Sequence, residues 1–106
     1  MKSYLIIIPA YNEEECIAGV LEDVRKSNPL ADVLVVNDGS VDTTSGIAKQ
    51  MGVKVLDIPF NIGYGGAIQT GFRFAAENGY DFVITVDGDG QHDPYYTKNL
   101  IDSIEQ

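Results

Sequence analysis

Tyr4-Leu5-Ile6-Ile7-Ile8-Pro9-Ala10-Tyr11-Asn12-Glu13-Glu14-Glu15 joins an apolar run to an acidic one across a single proline. The run from Tyr4 to Ile8 shows no alternation of polar and apolar residues, the pattern of a strand covered on both faces in a parallel sheet. Pro9 closes it. Beyond the loop, Ile17, Val20, Leu21 and Val24 recur at the spacing of one helix face, and Asn12 with Glu15 has the spacing of a capping box. The segment therefore predicts a strand, a polar loop and a helix in succession.

The same unit recurs. Apolar runs at Val33 to Val36, Val53 to Ile58 and Phe82 to Val86 predict three more strands. Ile47, Ala48 and Met51 mark a second helix, and Ala67, Ile68, Gly71, Phe72 and Ala75 mark a third that ends near Asn78-Gly79. Asp93-Pro94 has the form of an N-cap followed by proline in the first turn, with Leu100, Ile101 and Ile104 as the stripe of a fourth helix. The order βαβαβαβα predicts an α/β fold, a three-layer α/β/α sandwich around a mostly parallel sheet with right-handed crossovers.

A length of 106 residues predicts a single domain over 1–106. Hydrophobic residues at 44% and charged residues at 22% are the balance of an ordinary globular chain. Sixteen acidic against seven basic residues give a net charge of −9, which argues against nucleic acid as a partner, since phosphate neutralisation needs Lys and Arg. An acidic protein that binds an anion must recruit a cation or offer backbone N–H groups. Cys16 is the single cysteine, so no internal disulfide can form and a reducing compartment is expected. Its place in the first predicted helix suggests packing. No run is long enough for a signal core or a membrane span, so a cytoplasmic location is expected.

Ligands of open α/β sheets bind at the carboxyl ends of the strands, and there the sequence concentrates Gly, Pro and polar residues. Asp87-Gly88-Asp89 follows the fourth apolar run and places two carboxylates where both can turn toward one cation. Mg²⁺ characteristically takes one or two carboxylates and completes its shell with water and substrate phosphate oxygens. Asp and Gly are also common turn residues, so the triplet alone fits a plain acidic loop too. Asp38, in Asn37-Asp38-Gly39-Ser40, could accept a hydrogen bond from a base N–H, while Asp42 has the position of a helix cap. In Pro9-Ala10-Tyr11-Asn12-Glu13, Tyr11 could stack on a base and Glu13 could reach a ribose hydroxyl; acids in a first helical turn serve the helix dipole equally well. Asn61-Ile62-Gly63-Tyr64-Gly65-Gly66 opens the third helix with backbone N–H groups that could face a phosphate. The dinucleotide fingerprint fails because Ile68 stands where a small residue is required, and the P-loop fails because Phe72-Arg73 replaces Lys-Ser/Thr.

Together, Ile8-Pro9-Ala10-Tyr11-Asn12-Glu13-Glu14, Val36-Asn37-Asp38-Gly39-Ser40 with Asp42-Thr43-Thr44, Asn61-Ile62-Gly63 with Ala67 and Gly71, and Val86-Asp87-Gly88-Asp89 resemble the family 2 glycosyltransferases of GT-A type. The continuation Gly90-Gln91-His92-Asp93-Pro94 is most similar to the branch that transfers sugars to polyprenyl phosphates, the dolichyl-phosphate mannose synthase-like enzymes. The resemblance implies a nucleoside diphosphate sugar, a UDP- or GDP-sugar, held by Pro9, Ala10, Tyr11, Glu13, Asp38, Gly63, Asp87 and Gly88. It implies Mg²⁺ or Mn²⁺ held by Asp87, Asp89 and Gln91, with Asp89 the more direct ligand and the cation acting as a Lewis acid on the leaving diphosphate. It implies inverting transfer, with a polyprenyl phosphate as acceptor and the protein peripheral to the cytoplasmic membrane face in a longer form.

In that family the acceptor-binding portion follows the acidic pair, and here the sequence stops at Gln106. The expectation is a truncated donor-binding part with no catalytic residues of the acceptor side, inactive or very weak alone, and with a sheet edge that could self-associate. His92 could touch phosphate or acceptor but is expected at the surface, and Tyr95 and Tyr96 could stack on a lipid or sugar but are expected to pack. Two alternatives stand beside this reading: a non-catalytic nucleotide- or metal-binding module, and a phosphohydrolase of the haloacid dehalogenase type. The second normally carries its Asp-x-Asp after the first strand, whereas here the pair follows the fourth.

Overall fold

The computed structural model describes residues 3–88. Seven elements alternate along them: β1 (Tyr4–Ala10), α1 (Ile17–Ser27), β2 (Asp32–Asp38), α2 (Thr44–Gln50), β3 (Lys54–Ile58), α3 (Tyr64–Glu77) and β4 (Phe82–Thr85). All strand pairs are parallel, and the sheet order is β3-β2-β1-β4. The fourth predicted helix, with Asp93, Pro94, Leu100, Ile101 and Ile104, lies outside the described residues, as do Asp89, Gln91, His92, Tyr95 and Tyr96.

The absence of alternation in β1 is explained by burial on both sides. Ile6 and Ile8 join Val35, Ile17, Leu21, Val24 and Ala48 in one core, under α1 and α2. Leu5 and Ile7 join Leu34, Val36, Ala67, Ala75 and Val83 in another, under α3. Helices therefore cover both faces, as the continuous runs predict. The chain steps from β1 to β2 to β3 in one direction and then crosses back to place β4 on the far side of β1. Crossovers of one hand put a helix on opposite faces when the direction of travel reverses, which is why α3 stands alone opposite α1 and α2. The reversal leaves a crevice outside the carboxyl ends of β1 and β4, the usual ligand position in such sheets.

Pro9 does not close the first strand as the sequence suggests: it lies inside β1, opposite Val36, and the strand runs on to Ala10. On the other side the β1–β4 pairing stops at Ile7 opposite Thr85, and the Val86 N–H then donates to the Ile7 carbonyl. Backbone groups of alternate residues face the same neighbour, so the N–H that proline lacks would point toward β4 beyond the last pair. No ladder bond is lost there.

Two further expectations need correction. Asn12 and Glu15 do not form a capping box: α1 begins at Ile17, and the turn before it is closed by the Cys16 and Ile17 N–H groups donating to the Glu13 carbonyl. Asn12 instead adopts a left-handed φ of 52°, and its side chain accepts the Val41 N–H from a different loop. Cys16 is consequently at the helix boundary and exposed, with no packing role. Among the described residues no helix is long and apolar enough to cross a membrane.

Candidate functional site: a cleft at the carboxyl ends of the strands

The loops after the four strands converge on a cleft of about 440 Å³. Its lining contains Pro9, Ala10, Tyr11, Glu13, Asp38, Gly63, Asp87 and Gly88, every described residue that the sequence nominates for a donor, together with Asn61, Tyr64 and Ala67. Residues more than 70 positions apart in sequence thus share one wall. A larger cleft of about 550 Å³ lies at the opposite end of the sheet, among Arg25, Asp32, Lys54, Phe74 and Tyr80. It touches none of the strand carboxyl ends, and Arg25, Asp32 and Tyr80 there are already engaged in hydrogen bonds within the protein. The Tyr80 hydroxyl donates to Asp32 at 2.6 Å, an interaction that pushes the phenol up to about 12, and Lys54 sits over the Phe74 ring.

The β1–α1 and β2–α2 loops are stitched into one wall. The Asn12 N–H donates to Ser40 Oγ (2.9 Å), the Val41 N–H to Asn12 Oδ1 (2.9 Å) and the Glu13 N–H to Thr44 Oγ1 (2.9 Å). Glu14 reciprocates, donating its N–H to Asp42 and accepting from the Thr43 N–H and hydroxyl. Asp42 also accepts the Thr44 N–H at 3.0 Å, so it serves the start of α2 as the sequence predicts. Burial works against its charge, but the hydrogen bonds from the Thr44 hydroxyl, the Thr44 N–H and the Glu14 N–H prevail and lower its pKa.

Asp38 is 3% exposed, and its carboxylate is largely committed within the protein. Oδ1 accepts the Ile62 N–H at 2.7 Å, and Oδ2 accepts the Gly63 N–H and Asn61 Nδ2, each at 3.0 Å. A carboxylate offers about four acceptor directions, so roughly one remains on Oδ1 for a ligand. The three bonds fasten the β3–α3 loop to the end of β2. Gly39 makes the approach possible: its φ is +73°, and a Cβ there would lie 2.4 Å from the Asn61 nitrogen. Behind this latch, Asn37 Nδ2, Ser45 Oγ and Lys49 Nζ all donate to Asp57. Those hydrogen bonds, led by that from Lys49, lower the Asp57 carboxyl to about 2.

At the other end of the cleft, Gly88 is buried against β1. A Cβ there would meet the Pro9 carbonyl oxygen at 3.0 Å, Ala10 Cβ at 3.2 Å and Glu13 Cγ at 3.3 Å, so the residue between the two aspartates is held to glycine by close packing. Asp87, half-buried, accepts a hydrogen bond from the Tyr64 hydroxyl at 3.1 Å. Tyr64 and Asn61 were not singled out individually in the sequence. The signal available was position: both sit where α3 begins, at the carboxyl edge of the sheet.

Glu13, Asp38 and Asp87 put three carboxylates on the cleft wall, and no Lys or Arg lines it among the described residues. Such a surface repels a diphosphate unless a cation or backbone N–H groups offset the charge. The described residues alone contain no group of three or more His, Cys, Asp or Glu that could cage a metal. The donor set fits a hard divalent ion that takes few protein carboxylates and fills its shell from phosphate and water.

Comparison with known proteins identifies the fold and the family. The chain is 39% identical over 105 residues to the undecaprenyl-phosphate mannosyltransferase of Micrococcus luteus, covering 94% of this chain and 43% of that protein. The fold superposes on S. aureus TarS in complex with UDP-GlcNAc with a TM-score of 0.72 and 30% identity, covering 84% of this chain and 27% of that one. It also superposes on glucosyl-3-phosphoglycerate synthase from Mycobacterium tuberculosis in complex with Mn²⁺, UDP and glucosyl-3-phosphoglycerate, with a TM-score of 0.68, 26% identity and coverage of 82% and 33%. The chain thus spans less than half the length of each of these proteins. The fold is that of the GT-A nucleotide-sugar transferases, and the resemblance to the polyprenyl-phosphate branch stands. With the Glycosyl transferase family 2 profile matching residues 5–106, the chain belongs to that family of glycosyltransferases.

Proposed function

We propose that this chain is the donor-binding part of an inverting glycosyltransferase, and that the cleft at the carboxyl ends of β1, β2 and β4 holds a nucleoside diphosphate sugar. The observation that carries the reading is the convergence of Pro9, Ala10, Tyr11, Glu13, Asp38, Gly63, Asp87 and Gly88 on one cavity. Tyr11, 46% exposed at the rim, would stack on the base. The acceptor direction left on Asp38 would take a base N–H, and Glu13 would receive a ribose hydroxyl. Asp87, with Asp89 and Gln91, would hold Mg²⁺ or Mn²⁺, which would neutralise the departing diphosphate as a Lewis acid. The three carboxylates of the wall, with no Lys or Arg beside them among the described residues, support that reading.

The acceptor is a polyprenyl phosphate in this reading, supported by the name of the M. luteus relative and by the run Asp89-Gly90-Gln91-His92-Asp93-Pro94. Residues that engage an acceptor would belong to a longer protein, so this chain binds donor and turns over weakly or not at all. Calorimetric titration with UDP, GDP and their sugars, in Mn²⁺ and in chelator, tests the reading. Binding in Mn²⁺ that chelator abolishes and Asp87→Asn weakens at least tenfold is expected. Metal-independent binding unaffected by Asp87→Asn would favour a nucleotide-binding module that does not use the acidic pair, and no binding to any of the ligands would end the donor reading.

A further inference from the structure

The two ends of the cleft are fixed by different means. At one end, six loop-to-loop hydrogen bonds and the Asp38 latch hold the β1–α1, β2–α2 and β3–α3 loops. At the other, the Asp87 carboxylate makes one hydrogen bond among the described residues, to the Tyr64 hydroxyl. Tyr64 is the first residue of α3, immediately after Gly63, whose N–H is bound by Asp38. A continuous path therefore runs from Asp38 through Gly63 and Tyr64 to Asp87, across the floor of the cleft. Tyr64 is 60% exposed, so a hydroxyl there is not required to satisfy a buried core.

We propose that Tyr64 is a positioning residue for Asp87. Its hydroxyl takes one carboxylate oxygen and sets the side-chain rotamer, so that the second oxygen faces the cleft where a diphosphate-bound cation would sit. The nucleoside end thereby governs the orientation of the acidic end before any donor arrives. This inference rests on the donor-cleft reading above and adds to it a residue that acts through Asp87 without touching the metal.

A double-mutant cycle tests it. Wild-type chain, Tyr64→Phe, Asp87→Asn and the double variant are titrated with UDP and GDP in Mn²⁺, and the melting temperature of each is recorded. Tyr64→Phe keeps the ring and removes only the hydroxyl, and a net hydrogen bond of ordinary strength corresponds to about fivefold in affinity. Tyr64→Phe is expected to weaken Mn²⁺-dependent binding about fivefold with an unchanged melting temperature, and to cause no further loss once Asp87 is Asn. The side-chain carboxyl ¹³C resonance of Asp87 should also move in Tyr64→Phe without nucleotide present. Wild-type affinity in Tyr64→Phe, or losses that multiply independently in the double variant, would overturn the role of Tyr64 and leave the donor reading intact. Failure of the wild-type chain to bind nucleotide would overturn both.

Discussion

Replacing Asp38 by Asn tests whether its carboxylate organises the cleft or is reserved for ligand. The amide oxygen can still accept the Ile62 N–H, but the amide nitrogen then faces the Gly63 N–H and Asn61 Nδ2, two donors now held at 3.0 Å. Asn61 keeps its bond to the Asp38 carbonyl at 3.1 Å, so the Gly63 N–H loses most. One charge-assisted hydrogen bond lost and one donor left unsatisfied at a buried position cost about 2–3 kcal/mol together. For a chain of this size that corresponds to a fall in melting temperature of about 10–20 °C. Urea denaturation and thermal melting followed by circular dichroism measure it. Asn61→Ala, which leaves both backbone N–H bonds in place, should cost about 1 kcal/mol. A loss below about 0.5 kcal/mol in Asp38→Asn, far under the hydrogen-bond scale, would refute the latch and return Asp38 to a purely ligand-binding role.

Other outcomes follow from the same geometry. The hydrogen bonds from Lys49, Ser45 and Asn37 lower the Asp57 carboxyl from the ordinary 3.8 to about 2, so its contribution is complete above pH 4 and disappears as pH falls through about 2. Because its side chain is 42% exposed, solvent screening limits that contribution to about 1 kcal/mol, and Asp57→Asn should reduce the acid sensitivity of stability between those values. Tyr80 behaves in the opposite sense: its pKa is raised from 10.0 to about 12, so the stability it adds is present below pH 10 and lost as pH rises through about 12. Tyr80→Phe should flatten the alkaline limb of a stability profile measured by urea titration. Gly88→Ala places a methyl 3.0 Å from the Pro9 carbonyl; a stability loss of about 1 kcal/mol is expected from overpacking, with Mn²⁺-dependent nucleotide affinity falling further than that loss accounts for.

Strands were legible because burial on both faces leaves a direct mark on composition: Ile6 and Ile8 face one helical layer while Leu5 and Ile7 face the other, and none of those positions tolerates a polar residue. The start of α1 was not. Asn12 and Glu15 carry the local spacing of a cap, but the Asn12 side chain finds its partner at Val41, 29 positions away, and local spacing is blind to a competitor in another loop. The candidate site divides in the same way. Which residues gather at the cleft follows from the rule that strand carboxyl ends converge, so position in the sequence suffices. What each does follows from partners across loops. Asp38 binding Gly63 and Tyr64 reaching Asp87 depend on the order β3-β2-β1-β4, which residue types alone do not encode.

The most direct test of the donor cleft is amide chemical-shift mapping on the ¹⁵N-labelled chain, with UDP or GDP added in the presence of a diamagnetic divalent ion, Mg²⁺. Shifts concentrated at Ala10, Tyr11, Glu13, Asp38, Gly63, Tyr64, Asp87 and Gly88, with Arg25, Lys54, Phe74 and Tyr80 unmoved, are the result this account predicts. Shifts concentrated at the Arg25–Lys54–Phe74–Tyr80 cleft, with the strand carboxyl ends silent, would contradict it.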